Sequence, residues 1–348
     1  MSLLTVSQQI TIYGGFILAI GGIFGNSMNI LIFSTYQTYR TTPSTFCFLI
    51  NSIINLIYLC MNLLSRILSV GYGIDYTRTS ILWCKTRSFS ITTFSLISFT
   101  CSCLSAIDQY FLTSSNVQIR QYSQMKYTYR ILLFMSFIWC LHGIPYFIYL
   151  DISSNDKLCM NTNLFYRKYL MSNIFILLCL TPIFIMILFG YLAYRNIRQT
   201  IFLSKQQVDR KLTRIIFVQV LLVIASVTPY GIFNVYMMIT KDYSKDAYRQ
   251  MQEYFISTIV GLISYFYFVG NFYMFFIVSS RFREKVKDRI FFWRKSEKWK
   301  HLGLGSLMEV NLKQEKDEIN SYELIKTAFA MDITSRNQFD DKNSESQV

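Results

Sequence analysis

The sequence predicts an all-α membrane protein, a seven-transmembrane helix bundle followed by a short amphipathic cytosolic eighth helix. Three observations carry this reading. Apolar residues gather into seven blocks, each about as long as a helix needs to cross a hydrocarbon core; Lys and Arg concentrate in alternate connecting segments; and a basic stretch with apolar residues at helical spacing follows the last block. With 52% hydrophobic and 16% charged residues over 348 positions, the chain holds more apolar surface than one water-facing domain can hide.

The blocks cover residues 11–33, 46–70, 85–112, 131–150, 170–194, 212–239 and 255–279. Each is about twice the length of a barrel strand, and lipid satisfies no open backbone hydrogen bond, so helices are required. Residues 1–10 form a short extracellular N-terminus without a basic residue, which argues against a signal peptide and for a retained first helix. Pro145, Pro182 and Pro229 fall inside spans, where a missing N–H weakens the helical ladder and permits a bend. The bundle occupies residues 11–280. An interfacial helix occupies 281–293, where Phe282, Val286, Ile290 and Trp293 recur at helical spacing between basic residues. Residues 294–348, acidic toward the end and without a spanning run, form a disordered cytosolic tail.

Orientation follows from the basic residues up to position 300. One set of segments holds 19 of them and the opposite set 10, so the C-terminus is placed in the cytosol. The net charge of +14 is thus a topology signal, and no nucleic-acid partner is expected. Six cysteines lie within spans as soft packing residues, whereas Cys84 and Cys159 both face the oxidising side under this topology and are expected to pair. That bridge would pin the loop between the fourth and fifth spans over the mouth of the bundle.

Cys84 and Asp108 stand 24 residues apart, so one helix carries a cysteine at its outer end and an acid at its inner end. Here the chain resembles the rhodopsin-like G-protein-coupled receptors, whose third helix has this spacing and an inner Asp-Arg-Tyr; this chain reads Asp108-Gln109-Tyr110. Gly25-Asn26, Trp139, Pro182, Pro229 in Ser226-Val227-Thr228-Pro229-Tyr230 and Asn271 in Asn271-Phe272-Tyr273-Met274-Phe275 fall in the family's order. The resemblance covers about residues 10–292. It implies a receptor that binds an extracellular ligand and opens its cytosolic face to a heterotrimeric G protein, with Asp108, Gln109, Tyr110, Asp209, Asn271 and Phe275 at the switch. It further implies a polar helix core at Asn26, Asn55 and Ser98, and a tail whose Ser and Thr residues bind an arrestin-like protein when phosphorylated.

The departures matter as much. Asn55 stands where the family carries a carboxylate, which removes the charge a sodium ion would need; the bland role of Asn55 and Asn271 is an amide hydrogen bond between helices. Gln109 replaces the Arg that pairs with an acid of the sixth helix, here Asp209, so that restraint is expected to be a weaker, neutral hydrogen bond.

For the ligand, Ile91 stands where amine receptors of the family carry an Asp, and Tyr265 where opsins carry the retinal Lys. Arg66, Lys85 and Arg87 near the outer mouth would attract a carboxylate, with Thr92, Tyr230, Asn234 and Tyr265 below them as hydrogen-bonding groups. The expected ligand is a peptide or an acidic small molecule. The surrounding partner is membrane lipid, and no metal or cofactor is expected. A transporter would need deep acidic residues or broken helices at the midplane. An enzyme has little to work with, because there are two His and neither a HExxH nor a GxSxG motif. A receptor that binds without coupling, or a scaffold, would leave the same sequence.

Overall fold

Ser2 opens the first helix, α1 (Leu3–Thr35), by accepting a hydrogen bond from the Thr5 N–H at 3.3 Å, which satisfies one free donor of the first turn. The helix thus begins well before position 11, where hydropathy alone would start it. Its polar lead is held by tertiary bonding, since Gln8 Nε2 donates to the Gly71 carbonyl at 2.7 Å. The structure, a computed structural model, describes residues 2–153, 157–199, 206–240 and 243–301. It divides into a first unit, Met1–Arg283, which holds seven long helices, and a second that begins at Glu284.

The further helices are α2 (Pro43–Gly71), α3 (Ile81–Thr113), α4 (Met125–Tyr149), α5 (Lys168–Arg198), α6 (Gln206–Ile239) and α7 (Ala247–Val278). All seven are long and apolar enough to cross a membrane, and the chain is a multi-pass, all-α membrane bundle. Their interruptions have local causes. Pro43 starts α2 at a position where a missing N–H costs nothing. α2 widens into π turns at Leu59–Leu63 and Ile67–Gly71. α4 breaks at Ile144, ahead of Pro145, and α5 carries a π turn at Ile174–Leu180 just before Pro182, the kind of adjustment that lets a neighbouring turn absorb a proline. Pro229 sits inside α6 without ending it.

The helices close into a ring around α3: α1 packs on α2 and α7, α6 on α5 and α7, and α3 touches α2, α4, α5 and α6. Glycine permits the closest approach. A Cβ on Gly22 would fall 2.5 Å from Leu59 Cδ1, and one on Gly25 would fall 2.9 Å from Phe272 Cβ, so side chains of α2 and α7 press directly on the α1 backbone. Large apolar side chains such as Ile17, Phe134 and Phe184 point outward and stay exposed, as a lipid-facing perimeter requires.

Two short strands add to the helices, a detail that the hydropathy pattern does not reveal. Leu150–Ile152 pairs antiparallel with Cys159–Asn161, with Ile152 opposite Cys159. The bond between Cys84 and Cys159, with Cα atoms 5.8 Å apart, staples this hairpin to the first turn of α3.

After α7, Ser279 adopts an extended conformation and a new helix, α8 (Ser280–His301), begins. It runs past residue 293, the end that the apolar spacing predicts. Phe282, in its first turn, is buried against Phe33, Phe272 and Phe275, and the Arg283 guanidinium caps the carbonyls of Phe276 and Ile277 at 3.0 and 2.9 Å. The Trp293 side chain and the tail beyond His301 lie outside the described residues.

Candidate functional site

The residues singled out from sequence fall into three layers along α3. At the end opposite the disulfide, Asp108 is buried and its carboxylate is fully engaged. Oδ2 accepts from the Ser44 N–H at 3.0 Å and from the Ser44 hydroxyl, and Oδ1 accepts from the Ser123 hydroxyl at 2.6 Å. Asp108 therefore ties the start of α2 and the turn before α4 to α3, and it caps the N-terminus of α2, where a negative charge is favoured.

Gln109 is fully buried, and its Nε2 donates to the Ser44 hydroxyl at 2.8 Å. Its amide nitrogen is turned to Ser44 of α2. The Ser44 hydroxyl also reaches Asp108 next door. The Asp209 side chain lies outside the described residues. Tyr110 packs its ring 5.6 Å from Phe189 of α5, and its carbonyl accepts from Asn196 at 3.5 Å. Phe275 belongs to an aromatic cluster with Phe33, Phe48 and Phe282.

In the middle layer, the Ser98 hydroxyl reaches Asn51 Oδ1 at 2.6 Å and Asn55 Oδ1 at 2.7 Å, and lies 3.1 Å from the Tyr267 hydroxyl. The Tyr267 hydroxyl also meets Ser102 at 2.8 Å, and Gln219 Nε2 donates to Ser102 at 2.7 Å. Four helices, α2, α3, α6 and α7, thus share one network of neutral groups. Asn26 donates to the Gly22 carbonyl and, at 3.0 Å, to the Phe268 carbonyl of α7. Asn271 departs from its expected role. It is buried, but among the described residues neither of its amide atoms has a partner. Tyr267, one turn earlier, reaches the network instead because its longer side chain spans to α3. Asn51, Ser102, Gln219 and Tyr267 were missed in the sequence, although Asn51, Ser102 and Tyr267 each lie four positions from a predicted residue, on the same helical face.

At the disulfide end, Arg66 and Arg87 both point into the bundle. Arg87 Nη2 donates to Asn62 Oδ1 at 3.1 Å, and Asn62 in turn donates to the Tyr58 hydroxyl at 2.9 Å. Arg66 Nη2 lies 3.5 Å from the Ser257 carbonyl of α7. The Tyr265 hydroxyl faces the Arg66 guanidinium and lies within electrostatic reach of Arg87 and Tyr230. Ile91 packs against the main core, Thr92 pairs with the Tyr146 hydroxyl at 2.7 Å, and Asn234 donates to the carbonyl of Tyr230 on its own helix.

A second polar cluster was also missed. Glu253 of α7, buried, accepts from Lys245 at 2.6 Å and from the Tyr236 hydroxyl of α6 at 2.8 Å, with Arg249 3.4 Å away. It fastens the loop between α6 and α7 to both helices. A cleft of about 890 Å³ lies beside it, but its lining includes Ile232 and Ile256, both largely exposed, so it opens on the perimeter of the bundle and not toward the arginines. In the loop after α2, burial works against ionisation of Asp75, but bonds from the Thr77 hydroxyl, the Thr77 N–H and Arg78 outweigh it and hold the carboxyl below its usual range. Among the described residues no group of three metal-ligating side chains comes together.

Neither a protein-family model nor a curated protein matches the chain.

Proposed function

We propose that the chain is a divergent rhodopsin-like G-protein-coupled receptor of the plasma membrane, with its N-terminus outside and its C-terminus in the cytosol. The disulfide end faces outward and takes a peptide or acidic small molecule; the Asp108 end faces inward and opens to a heterotrimeric G protein. The observation that carries this reading is the build of α3. A single helix holds the stapled hairpin at one end and the buried Asp108-Gln109 pair at the other, with a hydrogen-bonded network joining it to α2, α6 and α7 between them. A ligand that moves α6 or α7 at one end must disturb that network and, through it, the packing at the other. Pro229 gives α6 a place to bend. The helix after Ser279 is read as an interfacial one, lying along the inner membrane surface, and the tail as a docking segment for an arrestin-like protein.

Gln109 also supports a second reading, a receptor or scaffold that binds without coupling, because a neutral amide bonded to Ser44 lacks the charge with which an Arg would hold an acid. Ligand-free G-protein dissociation in cells separates the two. At matched surface levels, wild-type signal above empty vector that falls in Gln109→Arg supports a coupled receptor with a weakened restraint. Silence of wild type and variant across the main G-protein classes supports the non-coupling reading.

A further inference from the structure

The bond between Ser98 and Asn55 fixes the register of α3 against α2. Arg66 follows Asn55 by 11 residues and Arg87 precedes Ser98 by 11, so both stand roughly 16 Å from that bond toward the disulfide at the ordinary helical rise. The Arg87–Asn62 contact shows that the two helices meet at this level. Two π turns, at Leu59–Leu63 and Ile67–Gly71, bracket Arg66; each extra residue rotates the side chains that follow, and such turns gather at functional positions. A Cβ on Gly261 would lie 2.8 Å from Arg66 Nη2. The guanidinium therefore rests on bare α7 backbone, in a space that only glycine leaves open.

These cations are poorly compensated. A guanidinium has five N–H donors, yet the partners here are a carbonyl, an amide oxygen and one tyrosine hydroxyl. The Nε of each arginine is buried without any partner, and among the described residues no carboxylate lies within ion-pair distance of either. Two like charges facing one tyrosine inside a spanning bundle repel each other and lose hydration, an arrangement that function and not stability explains. By contrast Glu253, at the same end, has taken both Lys245 and Arg249 for itself.

We propose that Arg66 and Arg87 jointly bind a carboxylate of the ligand, gripped by the two guanidinium forks and flanked by Tyr58, Tyr230 and Tyr265. This rests on the receptor reading and deepens it by giving the ligand's chemistry. Planar forks suit a carboxylate held by two bonds from each side, and the aromatic walls suit an organic body attached to it. Phosphate shares part of this chemistry, so the test separates the two.

Full-length protein in lipid nanodiscs would be unfolded thermally in sodium succinate, sodium phosphate or neutral succinamide, with ionic strength held constant by sodium chloride. The proposal expects succinate to raise the midpoint by about 2–4 °C, phosphate to raise it less, and succinamide to leave it unchanged. Arg66→Gln and Arg87→Gln should each abolish the rise while unfolding, without succinate, at or above the wild-type midpoint. If either fails to fold, Arg87→Lys, which keeps the charge and loses the fork, should retain a reduced rise. A wild-type midpoint indifferent to succinate, a rise that survives both substitutions, or a rise with phosphate alone would overturn the proposal. No G protein enters this readout. Intact succinate binding with silent coupling would therefore count against the receptor reading alone, and active coupling without succinate binding against the arginine site alone.

Discussion

The two ends of the bundle along α3 treat charge in opposite ways. At one end the Asp108 carboxylate has three donors: the Ser44 N–H, the Ser44 hydroxyl and the Ser123 hydroxyl. At the other, Arg66 and Arg87 have neutral partners only, and each keeps an unpaired Nε. A charge satisfied by the fold is part of what holds the fold, whereas a charge left without its counterion is held in place by the fold for something else. The difference teaches where to look for structure and where for ligand, and it makes unequal predictions about substitution.

The largest effect is expected at Asp108. Asp108→Ala strands three donors at the junction of α2, α3 and the turn before α4, and should lower stability by about 2–4 kcal/mol, read as a fall in the thermal midpoint of purified protein. The same measurement on Arg87→Gln should show no fall. A loss at Arg87 as large as that at Asp108 would erase the contrast.

Tyr267→Phe comes next. It removes the hydroxyl that joins Ser98 and Ser102 to α7, at a cost of about 1 kcal/mol, and by loosening the network it should raise ligand-free signalling at matched surface level. A fall in stability with no change in signalling would leave Tyr267 a packing residue.

Sodium should do almost nothing. The middle layer is built from amides, hydroxyls and a phenol around Asn55, and hard cations prefer charged oxygen ligands. Titrating sodium against choline at constant ionic strength should leave agonist affinity unchanged, and a strong antagonism would mean that a charged ligand has been overlooked.

The smallest effect concerns Asp75, in the loop after α2. Its carboxyl is held below the usual range. Its contribution is thus fully present above the unfolded-state value and is lost as pH falls through the lowered one. Asp75→Ala should shift the thermal midpoint slightly at neutral pH and not at all once pH lies below the folded-state value.

Much of this was legible in the sequence, for physical reasons that also mark where legibility stops. Seven spans follow from hydropathy because lipid demands them. The Cys84–Cys159 bond follows from the order of the spans, which brings both residues to the same end of the bundle. The grouping of Arg66, Arg87 and Tyr265 was readable because charge inside a span is costly. The contact of Gln109 with Ser44 was not readable, because it depends on a hydroxyl that Asp108 brings there. Asn271 was assigned a bond that Tyr267 makes, because reach across a helix interface depends on side-chain length and rotation, which spacing alone does not give. The π turns of α2 leave no clear mark in composition, and without them the facing of Arg66 cannot be counted from Asn55.

The central claim is that the two ends of α3 communicate, and reciprocity offers the most direct test. If the chain is a receptor, a G protein bound at the Asp108 end must raise affinity at the arginine end by the factor with which the ligand promotes coupling. Succinate binding would be measured on nanodisc-embedded protein with and without a saturating nucleotide-free heterotrimeric G protein. The account predicts affinity about fivefold tighter or more when the G protein is bound, the lower range of measured couplings. An affinity unchanged by every heterotrimer class would contradict it.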